Sequence, residues 1–280
     1  MSLIPILELM SDARRGGLGL VALNVILLEH AEAIVEAAED CGLPTVLQVS
    51  ENTVKYHQGR IRPIGSACVA IAASASVPVA VHLDHATSPA LCQAAYEVGF
   101  GSVMFDASAL QYEDNVRSTA EVVRWCHHHG MSVEAELGAI GGKDGGHSIG
   151  ARTDPAQAQD YVARTGVDAL AVAVGSSHAM LERTAAIDLA LVDRLRRALS
   201  LPLVLHGSSG VSDAILREAV GRGITKVNVA TQLNQALTAR VRSVLATEPA
   251  LVDPRKYLAA ARVDVVAVAS RLLRLLETAS

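Results

Sequence analysis

Reactive side chains recur at the downstream ends of short apolar runs. His82-Leu83-Asp84-His85 closes one run, Asp106 closes the next, and Glu134 and Glu136 lie two apart on a third. Ser176-Ser177-His178, His206-Gly207-Ser208-Ser209-Gly210 and Asn228-Val229-Ala230-Thr231 close three more. Three imidazoles from three run ends, His85, His178 and His206, can converge on one ion at about 2.0–2.1 Å and leave a coordination position open. A divalent ion there polarises a carbonyl and stabilises an enediolate, which breaking a C–C bond beside a carbonyl requires. The departing half carries a hydroxyl whose proton needs a base, and Asp84 stands beside His85. His82 and Asp84 share one face by strand alternation. Alternation does not put His85 there, so a turn at that residue has to bring it round. His82 reads as a hydrogen-bonded support close to the metal position and not as a ligand.

Phosphate has its own candidates. Gly207 to Gly210 opens a helix near Asp213, and Asn228 to Thr231 opens another. Backbone N–H groups at helix starts bind anions without a basic patch. Other residues read more plainly. Asp106 either serves the site or caps the following helix. Glu134 and Glu136 are costly to bury unless they find partners. His127-His128-His129 reads as a solvated helix C-terminus, and His30 and His57 as solvated helix residues. The Leu/Arg pattern of residues 271–276 reads as a packing or subunit-contact helix.

The elements that must position these groups alternate. Strand-like runs cover residues 19–25, 44–49, 78–83, 102–105, 132–137, 169–174, 202–205 and 226–229. Helix-like stretches cover 28–41, 61–75, 90–98, 113–129, 155–165, 188–199, 213–221 and 233–247, with a further helix from 255 onward. Eight such units predict an α/β fold, a (β/α)8 TIM barrel built as one domain over residues 1–280. An open doubly wound sheet is the competing architecture, but the first strand lacks G-x-G-x-x-G. Residues 138–153 form the one long loop, and its GGKDGGHSIG stretch reads as a lid.

Half the residues are apolar and only 3% aromatic, so the core is built from small and branched aliphatics. The formal charge of −5, with no Lys/Arg cluster, argues against nucleic acid and anionic membrane as partners. Cys41, Cys68, Cys92 and Cys126 form no C-x-x-C pair and read as reduced core residues of a cytoplasmic protein. The N-terminal segment has no basic n-region or cleavage site, and the apolar stretch 67–81 is too short to span a bilayer.

Taken together, HLDHAT, the EAELG run of Glu134 to Gly138 followed by Gly141-Gly142, AVAVGSSH, LVLHGSSG and KVNVAT resemble the blocks of class II, metal-dependent ketose-bisphosphate aldolases. ALNV near Asn24, LQVSENTVKYH around Ser50 and DPRKYL at 253–258 extend the resemblance over nearly the whole chain. It implies a zinc-dependent enzyme that cleaves fructose or tagatose 1,6-bisphosphate, or another phosphorylated ketose, as a homodimer or homotetramer. By resemblance, Asp84 is the acid/base at the C4 hydroxyl and His85, His178 and His206 are the zinc ligands. Asp106 and Glu136 resemble carboxylates of a second or alternative position for a divalent or monovalent cation. Gly207, Ser208, Ser209, Asn228, Val229, Ala230 and Thr231 resemble the site of the dihydroxyacetone phosphate half, and Asn24 and Ser50 contacts to the rest of the sugar. An arginine near the C-terminus, Arg255, is the candidate for the distal phosphate. The NVAT form is more similar to the tagatose branch. Three positions depart from the pattern: Ala179 and Ser208 for glycine or a small residue, and Asp144 for the lid glutamate that moves the C3 proton. They motivate two alternatives, an altered substrate and a non-catalytic barrel serving a partner enzyme. A metal hydrolase ranks last, because the first strand offers Asn24 and no His-x-His pair.

Overall fold

The computed structural model describes residues 2–137, 152–176 and 185–277. Within them the strands β1 (Leu20–Asn24), β2 (Thr45–Ser50), β3 (Val79–Ala86), β4 (Ser102–Phe105), β5 (Ser132–Leu137), β6 (Ala169–Val172), β7 (Leu203–Leu205) and β8 (Ile224–Val229) are parallel and close in chain order into a barrel. Around it run α1 (Ile6–Gly16), α2 (Leu28–Cys41), α3 (Glu51–Tyr56), α4 (Ile61–Ser74), α5 (Pro89–Val98), α6 (Tyr112–His128), α7 (Pro155–Thr165), α8 (Leu189–Ala198), α9 (Asp213–Arg222), α10 (Thr231–Thr247) and α11 (Pro254–Glu277). The expected (β/α)8 barrel is therefore the observed fold, and the open sheet is excluded by the β1–β8 pairing. The expected elements lie within a few residues of those found. Segments 138–151 and 177–184, which include His178, Asp144 and the glycine-rich loop, lie outside the described residues.

Two apolar layers follow from strand alternation. The outward set, including Leu23, Leu47, Leu83, Val133, Leu170, Leu205 and Val227, packs against the helices. The inward set is thinner. Leu20, Ala22, Val46, Ala80, Met104, Ala169, Ala171 and Val204 fill the lower barrel together with Ile6, Leu9, Met10 and Ala13 of α1. Helix α1 thus plugs the N-terminal end, a role the sequence reading did not assign to this segment. Its apolar residues recur at i, i+3, i+4 and i+7, and Gly17 ends it at φ 66°.

Above this plug five of the strands turn polar. Continuing the same inward faces are Gln48, His82 and Asp84, Glu134 and Glu136, His206, and Lys226 and Asn228, all buried. An apolar floor and a polar mouth place the chemistry at the C-terminal end, where barrels of this kind carry it.

Some expectations need correction. His30 is not a solvated helix residue but is 2% exposed, and its Nδ1 accepts from the Leu27 N–H at 3.2 Å. Burial pushes its pKa down to about 4, so it is neutral near pH 7. His57 bonds the Ile26 carbonyl oxygen at 2.8 Å. The four cysteines are free; Cys68, Cys92 and Cys126 are buried and Cys41 is half-buried. Leu272, Leu273 and Leu276 of the Leu/Arg stretch are buried against the barrel, so this helix packs. Among the described residues no helix is long and apolar enough to cross a membrane.

Candidate active site

His85 reaches the mouth through an irregular strand. The pairing of β3 with β4 runs Leu83 to Val103 and then Ala86 to Phe105, which leaves one extra residue on β3. His85 takes up that residue at φ 55°, in the left-handed region that non-glycine residues rarely adopt. The strand therefore does not end in a turn at His85, as the sequence reading requires, but bulges and runs on to Ala86. The bulge lets consecutive Asp84 and His85 serve one site. Such strain costs about 1–3 kcal/mol and persists where surroundings enforce it. Here His85 Nδ1–H donates to Asp106 Oδ2 at 2.8 Å. Asp106 is itself fixed, its Oδ1 accepting from the Ser108 N–H at 3.1 Å and the Ser108 hydroxyl at 2.6 Å. It does not cap α6, whose N-cap is Gln111. With Nδ1 committed, Nε2 is the lone-pair nitrogen of His85, and it lies 3.8 Å from Asp84 Oδ2.

His206 arrives from the end of β7 with no exposed surface. Its ring is edge-on to His85, with centroids 4.7 Å apart and planes at 82°. Nε2–H donates to Glu134 Oε1 at 2.9 Å, and Nδ1 faces Glu136 Oε2 at 3.5 Å. Donor atoms of Asp84, His85 and His206 all lie within 4.8 Å of one another, and so do those of His85, Asp106 and Glu136. Two imidazoles with carboxylates are a donor set that zinc accepts. Each imidazole also has its second nitrogen held by a carboxylate, the support that metal-binding histidines usually carry. The residues present therefore fit a zinc ion.

Asn228 directs its Nδ2 toward Asp84 Oδ1 at 3.5 Å. The Ser208 hydroxyl donates to the Asn228 backbone carbonyl, tying the β7 loop to β8. Gly207 sits at φ 65° and leads into a 3-10 turn, Ser208–Gly210. Helix α10 begins at Thr231 behind Ala230, which offers no side-chain cap. Its first N–H groups thus have no cap from that residue. Val229 points away from the mouth into the outer apolar layer, so only its backbone belongs here. Asn24 Oδ1 accepts from Gln48 Nε2 at 2.8 Å. Ser50 Oγ accepts from the Thr53 N–H at 3.2 Å and caps α3. Arg255 has an 89% exposed side chain and pairs with Asp253 at 2.9 Å.

With this geometry in place, comparisons with known proteins give one answer. The family described as fructose-bisphosphate aldolase, class II, matches residues 4–280. The chain belongs to the class II fructose-bisphosphate aldolase family. It is accordingly an aldolase, a carbon–carbon lyase. A fructose-bisphosphate aldolase of Geobacillus stearothermophilus is 38% identical over 267 residues, covering 94% of this chain and 92% of that one. One from Staphylococcus aureus is 36% identical over 267 residues, covering 94% and 93%. Among solved structures, the YdjI aldolase of Escherichia coli K12 superposes with a TM-score of 0.87 at 32% identity, covering 99% of this chain and 98% of that chain.

This aldolase carries a lysine beneath its mouth that the sequence reading left without a role. Lys226 has no exposed surface and donates to Glu134 Oε2 at 2.8 Å. His82 Nδ1 bonds Ser102 Oγ at 2.8 Å, and its Nε2 is 3.9 Å from Glu134 Oε2. Burial, followed by the Lys226 charge, holds the His82 pKa well below its usual value, so this ring is neutral. The expected supporting role for His82 is consistent with that position. The available signal for Lys226 was its spacing, two residues before Asn228 on the same strand face.

Gly175 shapes the exit from β6. It sits at φ 118°, and a Cβ there would lie 2.2 Å from the Ala186 carbonyl oxygen. Gly175→Ala is expected to destabilise the fold by about 3 kcal/mol, from left-handed strain plus a backbone clash. Equilibrium urea unfolding checks it, and an unchanged midpoint would contradict the clash.

Proposed function

We propose that this aldolase is zinc-dependent and reversibly cleaves fructose 1,6-bisphosphate to dihydroxyacetone phosphate and glyceraldehyde 3-phosphate. The observation that carries this reading is the cluster of Asp84, His85 and His206 at the mouth of the barrel. His85, His206 and His178 are the proposed holders of the zinc, with His178 assigned from its position after β6. When bound, the ion supplies Lewis acidity at the substrate's C2 carbonyl.

The chain's own groups do the rest. Asp84 accepts the proton of the C4 hydroxyl. The C3–C4 bond then breaks, its electron pair stays with C3, and C4 leaves as the aldehyde. The Asn228 amide, aimed at Asp84 Oδ1, supports that carboxylate's orientation. Asp106 acts through His85, holding the ring so that Nε2 faces the mouth. Glu136 is assigned to a second or alternative cation position beside His206 Nδ1. Asp144 is assigned the proton at C3. The dihydroxyacetone phosphate end is assigned to the amides of Gly207, Ser208 and Ser209 and to the segment Asn228 to Thr231, where α10 starts. Asn24 and Ser50 are assigned to the rest of the sugar. One domain over residues 1–280 and a homodimer or homotetramer in the cytoplasm complete the reading, supported by the family's habit and the free cysteines.

A coupled assay on fructose and tagatose bisphosphates, with metal content measured on the same sample, tests the proposal. Turnover of the fructose substrate is expected. Preference for the tagatose substrate would move the assignment to that epimer. Stoichiometric zinc with no turnover on either would favour a non-catalytic barrel.

A further inference from the structure

The lower rim of the site contains a feature that the reaction steps do not use. Lys226 and Glu134 form an ion pair inside the barrel, with relative exposures of 0% and 3%. In the strand register Glu134 lies beside Met104 and Ala169, and Lys226 beside Val204, all three residues of the aliphatic floor. Taking two charges out of water is costly, and an apolar pair of similar volume is often as stable or more so. Packing alone therefore gives no reason for the pair.

The geometry supplies one. Glu134 splits its two oxygens: Oε2 takes the Lys226 ammonium at 2.8 Å and Oε1 takes the His206 ring at 2.9 Å. A carboxylate only accepts, so the His206 nitrogen facing it must carry the hydrogen. That nitrogen is Nε2, which leaves the lone pair on Nδ1, the atom turned toward Glu136. Without Lys226, the Glu134 carboxylate could rotate or turn to His82 Nε2, which lies 3.9 Å from its Oε2. We infer that Lys226 is a positioning residue: by anchoring Glu134 from below, it fixes the ring orientation and tautomer of His206 and so tunes metal affinity. The inference rests on the proposed role of His206 as a zinc ligand.

Two measurements test it. First, histidine-labelled, zinc-loaded protein is examined by long-range 15N–1H NMR. His206 is expected with hydrogen on Nε2 and the metal on Nδ1; the opposite assignment overturns the inference. Second, the double variant Lys226→Met with Glu134→Gln removes both charges yet keeps an acceptor for the His206 Nε2–H, so it isolates the anchoring by Lys226. Zinc affinity, read by competition with a chromophoric chelator, is expected to fall about 10–100-fold with the melting temperature nearly unchanged. Wild-type zinc affinity in the double variant would show that the pair only fills space. If the wild-type chain itself takes up no zinc, the functional reading fails instead, and the two failures are told apart by that control.

Discussion

Asp84→Asn is expected to abolish turnover while leaving zinc content unchanged. The substitution keeps the volume and the hydrogen bond with Asn228 but removes the atom that takes the proton. Asp84 is 3% exposed at the top of β3, and its Oδ1 faces the Asn228 amide at 3.5 Å. Loss of a positioned general base lowers kcat by about 10²–10⁴-fold. Metal analysis separates this role from ligation. Asp84 lies within ligand distance of the same donor cluster, so a carboxylate that held zinc would take the metal away with it. Unchanged metal with collapsed kcat supports the base; lost metal would reassign Asp84 as a ligand.

The second large effect is at His85, where a direct and an indirect role can be compared on one contact. His85→Ala removes a ring nitrogen proposed to bind zinc. Asp106→Asn leaves that nitrogen and alters only the partner that orients it at 2.8 Å. Outer partners of metal-binding histidines cost about 10–100-fold in affinity. His85→Ala is expected to exceed that range and to leave no activity at low micromolar zinc. Equal losses for the two variants, measured by chelator competition, would mean that Asp106 itself reaches the ion.

The barrel was legible because strand and helix periods alternate cleanly along the chain, and six of the eight strand-like runs carry reactive residues at or near the downstream end. The placement of Asp84, Glu136 and Asn228 on inward faces follows from a period of two. His85 does not follow, because a bulge adds a residue that no period reveals. Lys226 was hidden by a boundary. Taken as the start of its strand it looks like a solvated end, whereas β8 begins two residues earlier at Ile224 and carries Lys226 into the barrel. Helix α1 was hidden in another way. Read for the features of a leader, its apolar stripe has no partner until the open floor of the barrel is known. His30 was legible and overlooked: Ala33, Ile34 and Ala37 follow it at i+3, i+4 and i+7, the apolar stripe that α2 buries.

The central claim is that His85 from β3 and His206 from β7 share one cation. Crystals grown with zinc and measured on both sides of its absorption edge test it directly. An anomalous peak is expected about 2.0–2.1 Å from His85 Nε2 and from His206 Nδ1. A peak placed elsewhere, or contacting His206 through Nε2, would contradict it.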